Sequence, residues 1–166
     1  MNKVKMTFSD YIKKGNILHF DKFDFFDGHP DKKGRLSIVL QITPEKIVIA
    51  TVTASFPLPT DIMKHGCIKP ADKPYRGYHF VQGVVVGKNG YYFDMNSYAN
   101  LYHNPSVFDR TLEHIRTQYF DKDAIEYKDT LTNKEYEDFI YCVYHSPYIK
   151  RGLKKYLEEE LNKIIN

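Results

Sequence analysis

Arg35 opens an apolar, β-branched run, Arg35–Ile42, and the hydroxyl-rich segment Thr51-Val52-Thr53-Ala54-Ser55 lies at the end of the next run, Lys46–Ala54. The start of one antiparallel strand lies beside the end of its partner, so Arg35 and Thr53 are predicted neighbours at one rim of a sheet. Just ahead of Arg35 stand His29, Lys32 and Lys33. A guanidinium beside a hydroxyl, flanked by cations and an imidazole, suits a phosphodiester. The guanidinium neutralises charge building on the phosphorane oxygens, and the hydroxyl or imidazole positions or moves a proton. The candidate catalytic residues are therefore Arg35, Thr53 and His29, with Lys32, Lys33 and Ser55 as candidate substrate contacts. Thr51 reads as an ordinary strand residue on the face away from Thr53.

These groups need a rigid hairpin beneath them. The two runs are joined by Thr43-Pro44-Glu45 and read as a tight hairpin with buried faces. Ahead of them, a short amphipathic turn (Phe8, Tyr11, Ile12) ends at Gly15, a strand follows over Asn16–Phe20, and Asp21–Gly34 is loop-like. Residues 55–78 hold four of the eight prolines and read as a structured loop. His79–Val86 and Tyr91–Met95 form a second hairpin about Lys88-Asn89-Gly90, where Asn-Gly supplies the positive φ angles of a tight turn. After Asn100 the apolar period changes from two to 3.6. Phe108, Leu112, Ile115 and Tyr119 stripe one expected helix. Tyr136, Phe139, Ile140 and Val143 stripe another, opened by Thr132-x-x-Glu135. A third is expected from Ser146-Pro147, carrying Ile149, Leu153, Tyr156, Leu157, Leu161 and Ile164. The reading is α+β: a small antiparallel β-barrel over residues 1–100 and a helical region over 101–166 packed on it as one compact domain.

At 166 residues the chain fits one core, and its 42% hydrophobic content excludes disorder throughout. Residues 1–100 carry a net charge of +5 and residues 101–166 carry −2, so the first part favours polyanions. No secretory h-region follows Lys3 and Lys5, and nowhere do eighteen apolar residues run together. A cytoplasmic protein without a membrane span is expected. Cys67 and Cys142 belong to no Cys-x-x-Cys pair and read as reduced. His65-x-Cys67 has no second half with ligand spacing, and Gly83-x-x-x-Gly87-Lys88 lacks the hydroxyl a phosphate loop requires, so neither metal nor cofactor is expected.

The segments Gly15-Asn16-Ile17, Gly28-x(6)-Arg35 leading into Ile38-Val39-Leu40, and Ile47-Val48-Ile49-Ala50-Thr51-Val52-Thr53-Ala54-Ser55 resemble the MazF/PemK family of toxin endoribonucleases. The resemblance covers residues 15–60 closely and 79–100 loosely. Leu36 stands where the family usually has Pro, Pro30 replaces an acidic residue, and the C-terminal helices exceed the family's usual length. The resemblance implies an SH3-like barrel and cleavage of single-stranded RNA by metal-independent attack of the 2′-hydroxyl. It also places the family's catalytic Arg and Thr on Arg35 and Thr53, and implies a homodimer and an antitoxin partner. A fold does not fix a function, so a non-catalytic nucleic-acid- or protein-binding module on the same barrel is the alternative.

Overall fold

The computed structural model describes residues 6–21, 34–54, 64–69, 76–103 and 105–165. A one-turn helix α1 (Phe8–Tyr11) is capped by Thr7, whose hydroxyl accepts the Asp10 N–H while the Asp10 carboxylate accepts the Thr7 N–H. Gly15, at φ +83°, turns the chain into β1 (Asn16–Phe20). The hairpin β2 (Arg35–Ile42) and β3 (Lys46–Val52) forms as read, its turn tied by the Thr43 hydroxyl accepting the Lys46 N–H at 2.9 Å. Three short strands follow: β4 (Gly66–Ile68), β5 (Gly77–Phe80) and β6 (Ser97–Asn100). The remainder is β7 (Val107–Thr111), α2 (Leu112–Ile115) running into a π-helical turn over Arg116–Phe120, β8 (Ile125–Thr130), α3 (Asn133–His145) and α4 (Arg151–Ile165).

The strands make two antiparallel sheets, one of five strands in the order β7-β3-β2-β1-β8 and one of three in the order β4-β5-β6. The α+β expectation holds at this level. Among the described residues the sheet does not close into the expected barrel: β8 pairs with β1 and β7 with β3, and these two edge strands do not pair with each other. Among the described residues the smaller sheet is bridged to the larger where Thr53 and Tyr98 exchange both backbone hydrogen bonds at 3.0 and 2.8 Å. A second correction concerns residues 101–130. Phe108 belongs to strand β7, helix begins only at Leu112 behind its cap Thr111, and Ile125–Thr130 is a further strand.

Alternation along the strands sends residues to two cores. Ile17, Ile38, Ala50 and Val52 face α3, α4 and the smaller sheet, packing with Tyr78, Phe80, Phe139 and Leu157. Leu18, Phe20, Val39 and Ile49 face the other way, against Phe8, Ile115 and Tyr119. A bulge between Val39 and Gln41 interrupts the alternation, and the freed Leu40 carbonyl accepts the Tyr136 hydroxyl at 2.7 Å. Helix α4 buries Leu153, Leu157 and Leu161 at i, i+4 spacing within the same chain.

Cys67 in β4 and Cys142 in α3 form a disulfide. This corrects the expectation of two reduced thiols, which rested on the absence of a local pairing motif; the partners meet only through tertiary packing. The same elements are pinned a second time. Val81 N–H donates to His65 Nδ1 at 3.1 Å, so the ring proton sits on Nε2 and is donated to Glu135 of α3 at 2.7 Å. The other Glu135 oxygen accepts the Tyr78 hydroxyl at 2.6 Å.

Candidate functional site

Leu36 pairs with Val52 and Ser37 with Thr51, so one further step of the same register sets Arg35 opposite Thr53. Arg35 also pairs with Phe20 of β1. Leu36 and Val52 turn toward the α3–α4 core, which puts Arg35 and Thr53 on the opposite face with Phe20, at the rim where β2 begins. Both are half-buried. Thr51, read from the sequence as an ordinary strand residue, shares that face, since residues two apart along a strand point the same way.

Beneath the rim lies a feature that sequence patterns do not single out. Ser37 is fully buried, and its hydroxyl has no hydrogen-bond partner among the described residues. It pairs with Thr51, itself buried, so the rim carries two successive polar rows, Arg35 opposite Thr53 and Ser37 opposite Thr51. A buried hydroxyl without a partner costs about 1–3 kcal/mol, which the surrounding sheet has to absorb. Polar residues in a core strand are the only local trace of it.

His29, Lys32, Lys33 and Ser55 lie outside the described residues. No family model, curated protein or solved structure matches this chain. A guanidinium and a hydroxyl facing each other can bind an anion and polarise a P–O bond; moving protons calls for a further group. His19 is nearby in sequence but pairs with Leu36, so it occupies the face opposite Arg35. Its Nδ1 is 3.6 Å from Asp21 Oδ1. Its ring lies so close over Gly34 that a Cβ there would push the imidazole aside.

Other titratable groups with unusual surroundings are structural. His65 spends both ring nitrogens on Val81 and Glu135, leaving no lone pair or proton for catalysis. Burial, reinforced by Glu135, pushes the Tyr78 hydroxyl far above the usual phenol range. His79 is held below the usual imidazole range chiefly by burial, and its Nδ1 bonds the Lys64 carbonyl at 3.2 Å. Asp129 is 1% exposed and accepts hydrogen bonds from the backbone N–H groups of Asn89, Tyr91 and Thr130 and from the Asn89 amide. Those bonds outweigh burial and keep its carboxyl below the usual range. Among the described residues no helix is long and apolar enough to cross a membrane, and no group of three acidic, His or Cys side chains is placed to hold a metal.

Proposed function

We propose that the rim carrying Arg35 and Thr53 is the active edge of an endoribonuclease of the MazF/PemK type, built on an SH3-like strand arrangement opened by the addition of β8. The supporting observation is the β2–β3 register, which pairs Leu36 with Val52 and, extended by one step, would bring Arg35 and Thr53 to one face. In the reaction the 2′-oxygen of single-stranded RNA attacks the adjacent phosphorus and the P–O5′ bond breaks. The products are a 2′,3′-cyclic phosphate and a 5′-hydroxyl end. Arg35 stabilises the charge on the phosphorane oxygens, a role worth about 3 kcal/mol for a positioned donor, and Thr53 positions the scissile phosphate. His29 assists the transfer of the 2′-hydroxyl proton to the leaving oxygen, and Lys32, Lys33 and Ser55 hold flanking phosphates. This proton route uses side chains alone. The proposal further includes a homodimer, an antitoxin that occupies the RNA groove, and a cytoplasmic setting.

One observation favours the alternative of a non-catalytic binding module. His19 turns away from Arg35, so β1 brings no proton carrier to the pair. Incubating the chain with mixed single-stranded RNA in EDTA separates the two readings. New cyclic-phosphate ends support the enzyme, and binding without cleavage supports the module. Arg35→Ala is expected to lower turnover roughly 10²–10³-fold while the chain stays folded. Wild-type cleavage by a folded Arg35→Ala chain removes this site from consideration.

A further inference from the structure

At the other end of β3, roughly 20 Å from Thr53 at about 3.3 Å per residue, a cavity of about 780 Å³ opens between β7, the segment around His103 and the start of α4. Its volume falls in the range of small-molecule sites. One part of its wall is aromatic. His103 and Tyr148 lie with ring centroids 4.9 Å apart, and both pack on Tyr102, at 4.0 and 4.8 Å. His103 is exposed and holds φ +56°, a left-handed backbone uncommon outside glycine. Buried Val107 and Leu153 add an apolar floor.

The other part of the wall is cationic. Lys46, Arg110 and Lys150 line the cavity against one carboxylate, Asp109, and that carboxylate is bonded to Lys46 at 3.2 Å. Arg110 donates to the Asp109 carbonyl and keeps further N–H donors on its fork. Two cations without a lining carboxylate of their own thus stand beside a ring cluster. An acidic peptide would meet the charges but would offer no flat face to the rings; a base carrying a phosphate meets both.

We propose that this cavity binds a nucleoside phosphate unit, its base stacked on Tyr148 and His103 and its phosphate held by Arg110 and Lys150. The unit is either a free nucleotide or part of an RNA strand. A neighbouring cavity of about 260 Å³ shares Lys46, Asp109 and Arg110 and extends to His114, which gives a strand room to continue along β7. The site is separate from Arg35 and Thr53 and does not rest on the nuclease reading.

Calorimetric titration of the full chain with adenosine 5′-monophosphate, adenosine, inorganic phosphate and tetra-adenylate tests the site. The monophosphate is expected to bind more tightly than adenosine or phosphate alone. Tetra-adenylate binding tighter than the monophosphate assigns the site to RNA, and equal affinity assigns it to the free nucleotide. Arg110→Ala and Lys150→Ala should each weaken binding about tenfold, the loss of one charged hydrogen bond. Gly152 lines the cavity, and a Cβ there meets nothing within 4 Å. Gly152→Glu therefore puts a carboxylate at the mouth while favouring the helix, and it should abolish binding with the melting temperature kept. No binding at millimolar monophosphate overturns the proposal. So does phosphate binding as tightly as the monophosphate, or undiminished binding to Gly152→Glu.

Discussion

The disulfide between Cys67 and Cys142 should dominate the stability of this chain, and its worth can be worked from the sequence separation of 75 residues that it closes. Loop-closure entropy for a loop of that length removes about 15 cal/mol/K from the unfolded ensemble, or about 4.5 kcal/mol at 25 °C. For a chain of this size that corresponds to a fall in melting temperature of roughly 10–15 °C. Cys67→Ser is the clean perturbation, because Cys67 is exposed while Cys142 is fully buried and would leave a polar atom in the core. The assay is urea unfolding followed by circular dichroism and tyrosine fluorescence, since the chain has fourteen Tyr and no Trp. Oxidised wild type, wild type with reductant and Cys67→Ser are compared. The last two should coincide and both fall short of the first. If all three unfold within about 1 kcal/mol of one another, the cross-link constrains nothing that the His65–Glu135–Tyr78 contacts do not already hold, and the entropic account fails.

Three further outcomes concern the sheet. Asp129→Ala strips the acceptor from three backbone N–H groups and should cost about 3–5 kcal/mol in urea unfolding. Because the folded-state pKa of Asp129 is lowered, its contribution is complete above the ordinary carboxylate pKa and disappears as pH falls through the lower folded value. Stability measured from pH 7 down to 2 should therefore fall less steeply in Asp129→Asn than in wild type, and identical slopes would contradict the assignment. Gly34→Ala should lower the melting temperature by displacing the His19 ring, and His19→Ala in the same chain should recover most of the loss. Additive losses in that double-mutant cycle would show that the ring contact is not what demands glycine.

What could be read in advance was what local sequence controls. The runs Arg35–Ile42 and Lys46–Ala54 have β-branched residues on both faces and a turn triplet between them, and they appear within two residues of the expected bounds. The pairing of Leu36 with Val52, one step short of Arg35 and Thr53, needed only antiparallel geometry. Phe108 misled because its spacing to Leu112 fits a helical stripe, although Thr111, a cap residue, marks where the helix starts. Ile125-Glu126-Tyr127 alternates as a strand should, yet it lies in a stretch dominated by helical periodicity. The disulfide and the cavity beside α4 were out of reach for a different reason. Each is assembled from segments tens of residues apart, and no local rule brings Lys46, His103 and Tyr148 to one place.

The order of strands also bears on how the chain is made. The middle of the main sheet comes from residues 16–52, while its two borders come from residues 107–111 and 125–130. During synthesis from the N-terminus, the three inner strands emerge well before either border strand, and until then both sides of an apolar ribbon present unpaired N–H and C=O groups. Such a ribbon is a template for joining its neighbours on a polysome, and pairing across so long a stretch of chain is slow. Synthesis halted near residue 100 would yield a species disposed to aggregate, because the borders that shield the ribbon are among the last strands to be made.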